Sequence, residues 1–452
     1  MHSPLPLTQW LNAPRPDDTP VAWLDDRTWT LGELRHDVTR LVNTLRQQEG
    51  ERWALCFENS YLFIVALLAT LHAGKTPVIP GHSRVSLLEE QQTLFSGVLS
   101  DRALRLKGRV MVVDSAHRTG PFSPLPDVDG SRYVELFTSG STGAPRRVVK
   151  PIASLEREAG LLHERFGDRL SGCTVVASVV PHHLYGLTFR IFLPMSLGLP
   201  LHAAMLSYAE QLAALAHDRR YLFISSPAFL KRLDTELAPP DVALLVSAGG
   251  VLPWEDAIAA RGWLGVWPDE IYGSTETGIM AWRHRHDDAL PWRPFPGVAF
   301  RAEEDALWAT SPLIPDADGL PLDDLLVFDP DGGFHIAGRR GRVVKIEEKR
   351  VSLTEIERRL LELDGVCDAV ALPMSRGGRQ GIGALLVLSE DARRRWQQQG
   401  KKAQEFAWRR ALLPWLEPVA VPRYWRIVDE IPVNSMNKRV YAQLQELFHE
   451  NS

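Results

Sequence analysis

Short apolar runs alternating with helical stretches constrain this chain more than any single residue does. Strand-like runs at 53–57, 76–79, 110–113, 174–180, 221–224 and 243–246 are separated by segments of helical spacing. Strands that alternate with helices predict a parallel α/β architecture. Thr30 opens one such helix, with Leu34, Val38, Leu41, Val42 and Leu45 on its apolar face. The run from Tyr61 to Leu71 is apolar all round and too short to span a membrane, so a buried core helix over 60–73 is expected.

The texture changes after Phe300 to short strands and turns. Leu325, Leu326, Val327 and Phe328, then Asp329-Pro330-Asp331-Gly332-Gly333, then Phe334-His335-Ile336 read as a hairpin, with Asp, Pro and Gly serving the turn. A further α/β pattern begins beyond Gly341, which predicts a boundary there: one domain over 1–340 and a smaller one over 341–452. At 452 residues there is ample material for a large core in the first.

A formal net charge of −5 argues against a nucleic-acid partner. Cys56, Cys173 and Cys367 lie far apart and make neither a metal-ligand pattern nor a disulfide framework. The N-terminal Met1-His2-Ser3-Pro4-Leu5-Pro6 lacks a basic stretch followed by an apolar one. A cytoplasmic protein with no transmembrane segment is expected.

Chemistry concentrates in a few segments. Thr138, Ser139, Gly140, Ser141, Thr142 and Gly143, followed by Arg146 and Arg147, form a hydroxyl- and glycine-rich loop after an apolar strand. Glycines let backbone N–H groups approach phosphate oxygens, hydroxyls donate further bonds, and arginine supplies charge. The Walker A spacing is absent, so this is another kind of nucleotide loop. A second segment, Tyr272-Gly273-Ser274-Thr275-Glu276, brings an aromatic ring, a hydroxyl and a carboxylate together; alternatively it is a capped strand end with a solvent-facing acid. Between the two lie Pro181-His182-His183-Leu184-Tyr185-Gly186 and the small-residue run Ser247-Ala248-Gly249-Gly250.

In this order the segments resemble the adenylate-forming superfamily of acyl- and aryl-CoA ligases, luciferase and peptide-synthetase adenylation domains. The resemblance runs from the Thr30 segment to Lys438. It implies a large N-terminal domain of stacked sheets and helices with a mobile C-terminal lid. It also implies ATP and Mg²⁺ as cofactors, and a carboxylic acid activated to an acyl-adenylate with release of pyrophosphate. The acyl group would then pass to the thiol of CoA or of a carrier protein's phosphopantetheine. A non-catalytic nucleotide- or acyl-binding protein is the alternative of another class.

By the same resemblance the first loop and Arg146 hold the β- and γ-phosphates, Thr275 the α-phosphate, and Glu276 the metal. Tyr272, Gly273, Gly249 and Gly250 lie against adenine, although Gly249-Gly250 is also an ordinary turn. Asp324 and Arg339 hold the ribose, with Asp323 a competitor, since Leu322-Asp323 replaces the family's Thr-Gly. His182, His183 and Tyr185 line the acid's pocket or simply pack. No aspartate stands there to meet an ammonium, so the acid should lack an α-amino group. Gly341 falls at the hinge, and Lys438 at the catalytic lysine of Pro-x-x-x-x-Gly-Lys, with Asn437 in place of glycine. Glu348 stands where CoA-using relatives have glycine, which points to a carrier-protein thiol or a differently routed arm, with a free-CoA ligase for aryl or medium-chain acids as the alternative. The compact chain resembles the short ligases of aryl-polyene pathways. Ser352-Leu353-Thr354-Glu355 reads as a capping box, giving Glu355 a structural role.

Overall fold

The computed structural model describes residues 3–139, 145–303, 306–339, 342–346, 349–433, 439 and 441–448. They divide into two compact units: Met1–Ala299 with Thr310–Leu320, and Phe300–Ala309 with Pro321–Ser452.

The first unit holds two sheets. Its strands are β1 (Pro20–Leu24), β2 (Arg27–Thr30), β3 (Arg52–Cys56), β4 (Thr76–Ile79), β5 (Gly97–Ser100), β6 (Val110–Val112), β7 (Tyr133–Ser139) and β8 (Pro145–Pro151). They continue as β9 (Cys173–Ala177), β10 (Leu201–His202), β11 (Arg220–Ser225), β12 (Val242–Ser247), β13 (Asp269–Ser274), β14 (Gly278–His284) and β15 (Arg293–Pro294). One sheet runs β6-β5-β3-β4-β7-β8 and the other β15-β14-β13-β12-β11-β9-β10-β1-β2. Pairing is parallel from β6 to β7 and from β13 to β1, and antiparallel at the edges. The expected parallel α/β layers are therefore present, finished by antiparallel margins.

Local sequence explains the elements between the strands. Thr30 caps the helix Leu31–Arg46 with a reciprocal bond pair to Glu33, and Leu34, Val38, Leu41, Val42 and Leu45 are buried as their spacing predicts. Asn59 caps Ser60–His72, whose residues are buried on nearly every side, with Leu62 half-covered. Among the described residues no helix is long and apolar enough to cross a membrane.

The second unit contains the predicted hairpin, Asp324–Phe328 paired with Phe334–Arg339. A three-stranded sheet of Val366–Arg376, Arg379–Leu388 and Tyr424–Ile427 follows. Ile346, Val351, Ile356, Leu360, Trp408 and Trp425 belong to its core. This division falls earlier in the chain than Gly341. Phe300 packs 5.2 Å from Phe328 and 5.4 Å from Phe334, which ties the segment after residue 299 to the hairpin.

Candidate functional site

In the first unit two hairpins meet. β7 and β8 pair antiparallel, with Phe137 opposite Arg147 and Thr138 opposite Arg146. Successive side chains of a strand point to opposite faces, so the two arginines diverge. Arg147 donates to the Glu135 carboxylate at 2.8 Å, and Arg52 bonds the same buried acid. Burial alone would raise the Glu135 carboxyl; the hydrogen bonds from Arg147 and Arg52 outweigh it and hold the group below its ordinary range. Arg146 is 65% exposed and stands 3.8 Å from the Glu276 carboxylate. Thr138 is half-buried beside it. Gly140, Ser141, Thr142 and Gly143, and the side chain of Ser139, lie outside the described residues.

The second hairpin joins β13 to β14. The Ser274 and Thr277 hydroxyls lie 3.0 Å apart, and each also accepts the other's backbone N–H, which locks the turn and leaves Thr275 and Glu276 half-buried at its tip. A Cβ at Gly273 would stand 2.2 Å from the Gly278 carbonyl, so closure of this turn itself requires glycine. The Tyr272 ring lies 5.9 Å from Trp292, over which Arg283 is placed at 4.4 Å. The two acids before the motif are buried and paired: Asp269 with Arg169 and His284, Glu270 with Arg283 and Arg285. They hold the strand.

Small and hydroxylated residues gather at the carboxyl ends of the parallel strands, where open α/β sheets place their ligands. Gly249, just past β12, has φ +93°, and a Cβ on it would meet nothing within 4 Å. Near the same ends, the Tyr185 hydroxyl donates to the Ser225 carbonyl at 2.8 Å and to that of Val246 at 3.3 Å. The hydroxyl is thereby anchored to the main chain, with the ring still available to either of the two roles read from the sequence.

The rings of His182 and His183 lie 4.9 Å apart. Burial, reinforced by the nearby positive groups His183, Arg190, His82 and Arg102, pushes His182 down to about 3. It is a neutral imidazole at physiological pH.

Several residues here carry no linear motif. Arg190 lies on a π-helical segment, Leu187–Phe192, and is 1% exposed. It donates to the Val179 carbonyl at 2.9 Å, and burial lowers it to about 9. Lys150, 4% exposed on β8, donates to the Glu276 carbonyl at 3.2 Å. Glu158, fully enclosed, accepts from the Ile279 N–H at 3.0 Å and from the Thr188 hydroxyl. The one available signal was a charge at an otherwise apolar position of a strand or a helix face.

In the second unit Asp324 and Arg339 stand directly opposite across the hairpin, 3.3 Å apart. Asp323 is exposed at the bend preceding that strand, so Asp324 is the acid that register brings to Arg339. Ser352 Oγ accepts from the Glu355 N–H at 3.2 Å, in keeping with a cap. Gly341, Glu348, Asn437 and Lys438 lie outside the described residues. Among the described residues no group of three or more His, Cys, Asp or Glu is arranged to hold a metal, so a metal at Glu276 would need phosphate oxygens and water to complete its shell.

Residues 88–306 match the AMP-binding enzyme family. Over 235 residues the chain is 30% identical to the 4-coumarate–CoA ligase of Cereibacter sphaeroides, a match covering 51% of this chain and 54% of that one. The chain thus spans about half the length of this curated relative. The fold is that of an ATP-bound RpMatB–BxBclM chimera, at TM-score 0.83 and 20% identity over 98% of both chains. It is also that of the o-succinylbenzoate CoA synthetase of Bacillus subtilis with its acyl-adenylate, at TM-score 0.79 and 18% identity over 98% of both chains.

Proposed function

We propose that the chain is an adenylate-forming enzyme of the AMP-binding kind that residues 88–306 match, and that it activates a carboxylic acid with ATP and passes the acyl group to a thiol. The observation that carries this reading is the meeting of the two hairpins, with Arg146 3.8 Å from Glu276. That contact brings a phosphate-type loop and an acid-bearing turn to one place.

The chemistry follows from charge. A substrate carboxylate attacks the α-phosphorus and pyrophosphate leaves, so negative charge builds on the phosphoryl oxygens; positioning and electrostatic stabilisation are the protein's task. Thr138, Ser139, Gly140, Ser141, Thr142, Gly143 and Arg146 hold the outer phosphates, and Thr275 the α-phosphate. Mg²⁺ takes one or two carboxylates plus phosphate oxygens and water, and the Glu276 carboxylate suits that donor set; bound there, the ion would neutralise phosphate charge. Tyr272, Gly249, Gly250 and Gly273 face adenine, and Asp324 with Arg339 takes the ribose hydroxyls. Lys438 bridges the carboxylate and the α-phosphate. Gly341 lets the C-terminal segment turn between the two half-reactions.

The likeness to a 4-coumarate–CoA ligase supports an aromatic acid. His182, His183 and Tyr185 line its pocket, and the neutral His182 ring offers it a hydrogen bond in place of a counter-charge. Glu348, where CoA users carry glycine, supports a carrier-protein phosphopantetheine as acceptor, as in aryl-polyene-type pathways.

ATP–pyrophosphate exchange over a panel of aromatic and aliphatic acids, with no thiol present, tests the reading. Exchange with a subset is expected, and Lys438→Ala should abolish it while ATP still binds. Silence across the panel with ATP bound would favour a non-catalytic binding protein. Once an acid is known, holo-carrier protein should outperform CoA as acceptor, and Glu348→Gly should narrow that gap; a wild-type preference for CoA refutes the carrier reading.

A further inference from the structure

Of the residues that hold the Glu276 turn against the phosphate hairpin, Arg146 belongs to the phosphate loop, while Lys150 and Glu158 belong to none of the family-type motifs. On β8, Arg146 and Lys150 are four residues apart and project from the same face of the strand. Both reach Glu276, from opposite ends: the exposed Arg146 stands near its carboxylate at 3.8 Å, and the buried Lys150 donates to its main-chain carbonyl at 3.2 Å. Glu158 lies on the helix Ile152–Phe166, which directly follows β8. Its carboxylate accepts from the Ile279 N–H, three residues past Glu276, and from the hydroxyl of Thr188 on the π-helical segment behind His182 and His183. A Cβ on Gly278 would come within 2.6 Å of that carboxylate, so the strand leaving the turn is packed directly on it.

We infer that Lys150 and Glu158 are positioning residues: a buried brace of opposite charge that sets the Thr275–Glu276 turn relative to the phosphate hairpin and to the segment carrying His182. This role rests on the adenylating reading above for its catalytic meaning, but not for its structural content. Burial is the larger influence on each, lowering Lys150 and raising Glu158, and their mutual attraction opposes it, so each charge would be costlier alone. Each also grips main chain at the turn, Lys150 at the Glu276 carbonyl within it and Glu158 at the Ile279 amide of the strand that leaves it. Burying two ionisable groups merely to fill space would serve the core less well than two apolar residues. Main-chain contact with the acid-bearing turn gives them a use that apolar residues could not supply.

The test uses the full chain with Lys150→Met, Glu158→Gln and the double variant. Each single variant leaves one buried charge without its counterpart and should lose stability; the double variant removes both charges and should recover part of it. Hydrogen exchange of the peptide spanning the turn should nonetheless rise about tenfold in the double variant, with the rest of the unit unchanged. The ATP affinity of that variant should lose its enhancement by Mg²⁺, and where exchange chemistry is measurable kcat should fall more than the KM for the acid. Lys150→Arg should restore much of the wild-type behaviour. Unchanged local exchange in a folded double variant overturns the brace, whatever ATP does. Absence of ATP binding by the wild-type protein would instead overturn the proposed function, leaving the local-exchange result to judge the brace.

Discussion

His182 makes a quantitative demand on how stability depends on pH. Its ring is pushed down to about 3 in the folded chain, first by burial and then by His183, Arg190, His82 and Arg102, against 6.5 when unfolded. Below pH 6.5 the unfolded chain binds a proton at this residue that the folded chain refuses, so the folded state loses ground as pH falls. A pKa difference of one unit corresponds to about 1.4 kcal/mol, so from pH 7 to pH 5 this ring alone removes about 2 kcal/mol. The loss depends only on the folded value lying well below 5. Other histidines, among them His72 and His202, are also lowered, mainly by burial, so the wild-type slope contains more than this one ring. Urea unfolding of wild type and His182→Gln at pH 7 and pH 5 isolates it. The variant should lose about 2 kcal/mol less between the two pH values than the wild type does. Equal losses within about 0.5 kcal/mol would mean that the folded ring takes up its proton normally. The account of a neutral imidazole in the acid's pocket would then fail.

Other perturbations separate structural from ligand-facing roles. A Cβ at Gly186 would stand 1.8 Å from the Val180 carbonyl, backbone against backbone, so Gly186→Ala should cost about 3 kcal/mol in urea unfolding; a loss below about 1 kcal/mol contradicts that packing. Arg147→Ala removes a bond to the buried Glu135 carboxylate and should cost about 1 kcal/mol, discounted because Arg147 is half exposed, with little change in the KM for ATP. Arg146→Ala should do the reverse, leaving unfolding unchanged within about 0.5 kcal/mol while raising the KM for ATP about tenfold. Exchanged phenotypes in steady-state kinetics and unfolding would show that the phosphate-facing arginine has been misassigned. Tyr185→Phe should cost about 1 kcal/mol with the KM for the acid unchanged, because its hydroxyl is committed to main-chain carbonyls; a raised KM would place that hydroxyl on the substrate.

Much of the architecture was legible residue by residue because its causes are local. The spacing from Leu34 to Leu45 and the Thr30–Glu33 cap define one helix whatever surrounds it. The Asp, Pro and Gly of 329–333 turn a hairpin wherever it sits. Alternation of strands and helices was enough for parallel layers, and the first loop and the Tyr272 segment lie within residues 88–306, which match the AMP-binding enzyme family. The roles of Gly341 and Lys438 follow from motif register alone, whereas the grouping of the segment after residue 299 with the hairpin reflects contacts between residues distant in sequence, Phe300 with Phe328 and Phe334 among them.

What tertiary structure decided has a common physical reason: it depends on which groups share a poorly solvated neighbourhood. Neighbouring Arg146 and Arg147 are the same residue type, told apart in sequence only by motif position, and strand register sends Arg147 to a buried acid and Arg146 toward Glu276. Only packing makes His182 a neutral ring, because its charge is opposed by burial and by basic groups drawn from distant positions. Lys150, Glu158 and Arg190 carry no motif, since desolvation and pairing arise only when remote segments close around them. Sequence by itself determined the local elements, their order and the chemical repertoire of this chain. Folding decided which charges remain, which are held in place, and which are free to meet a ligand.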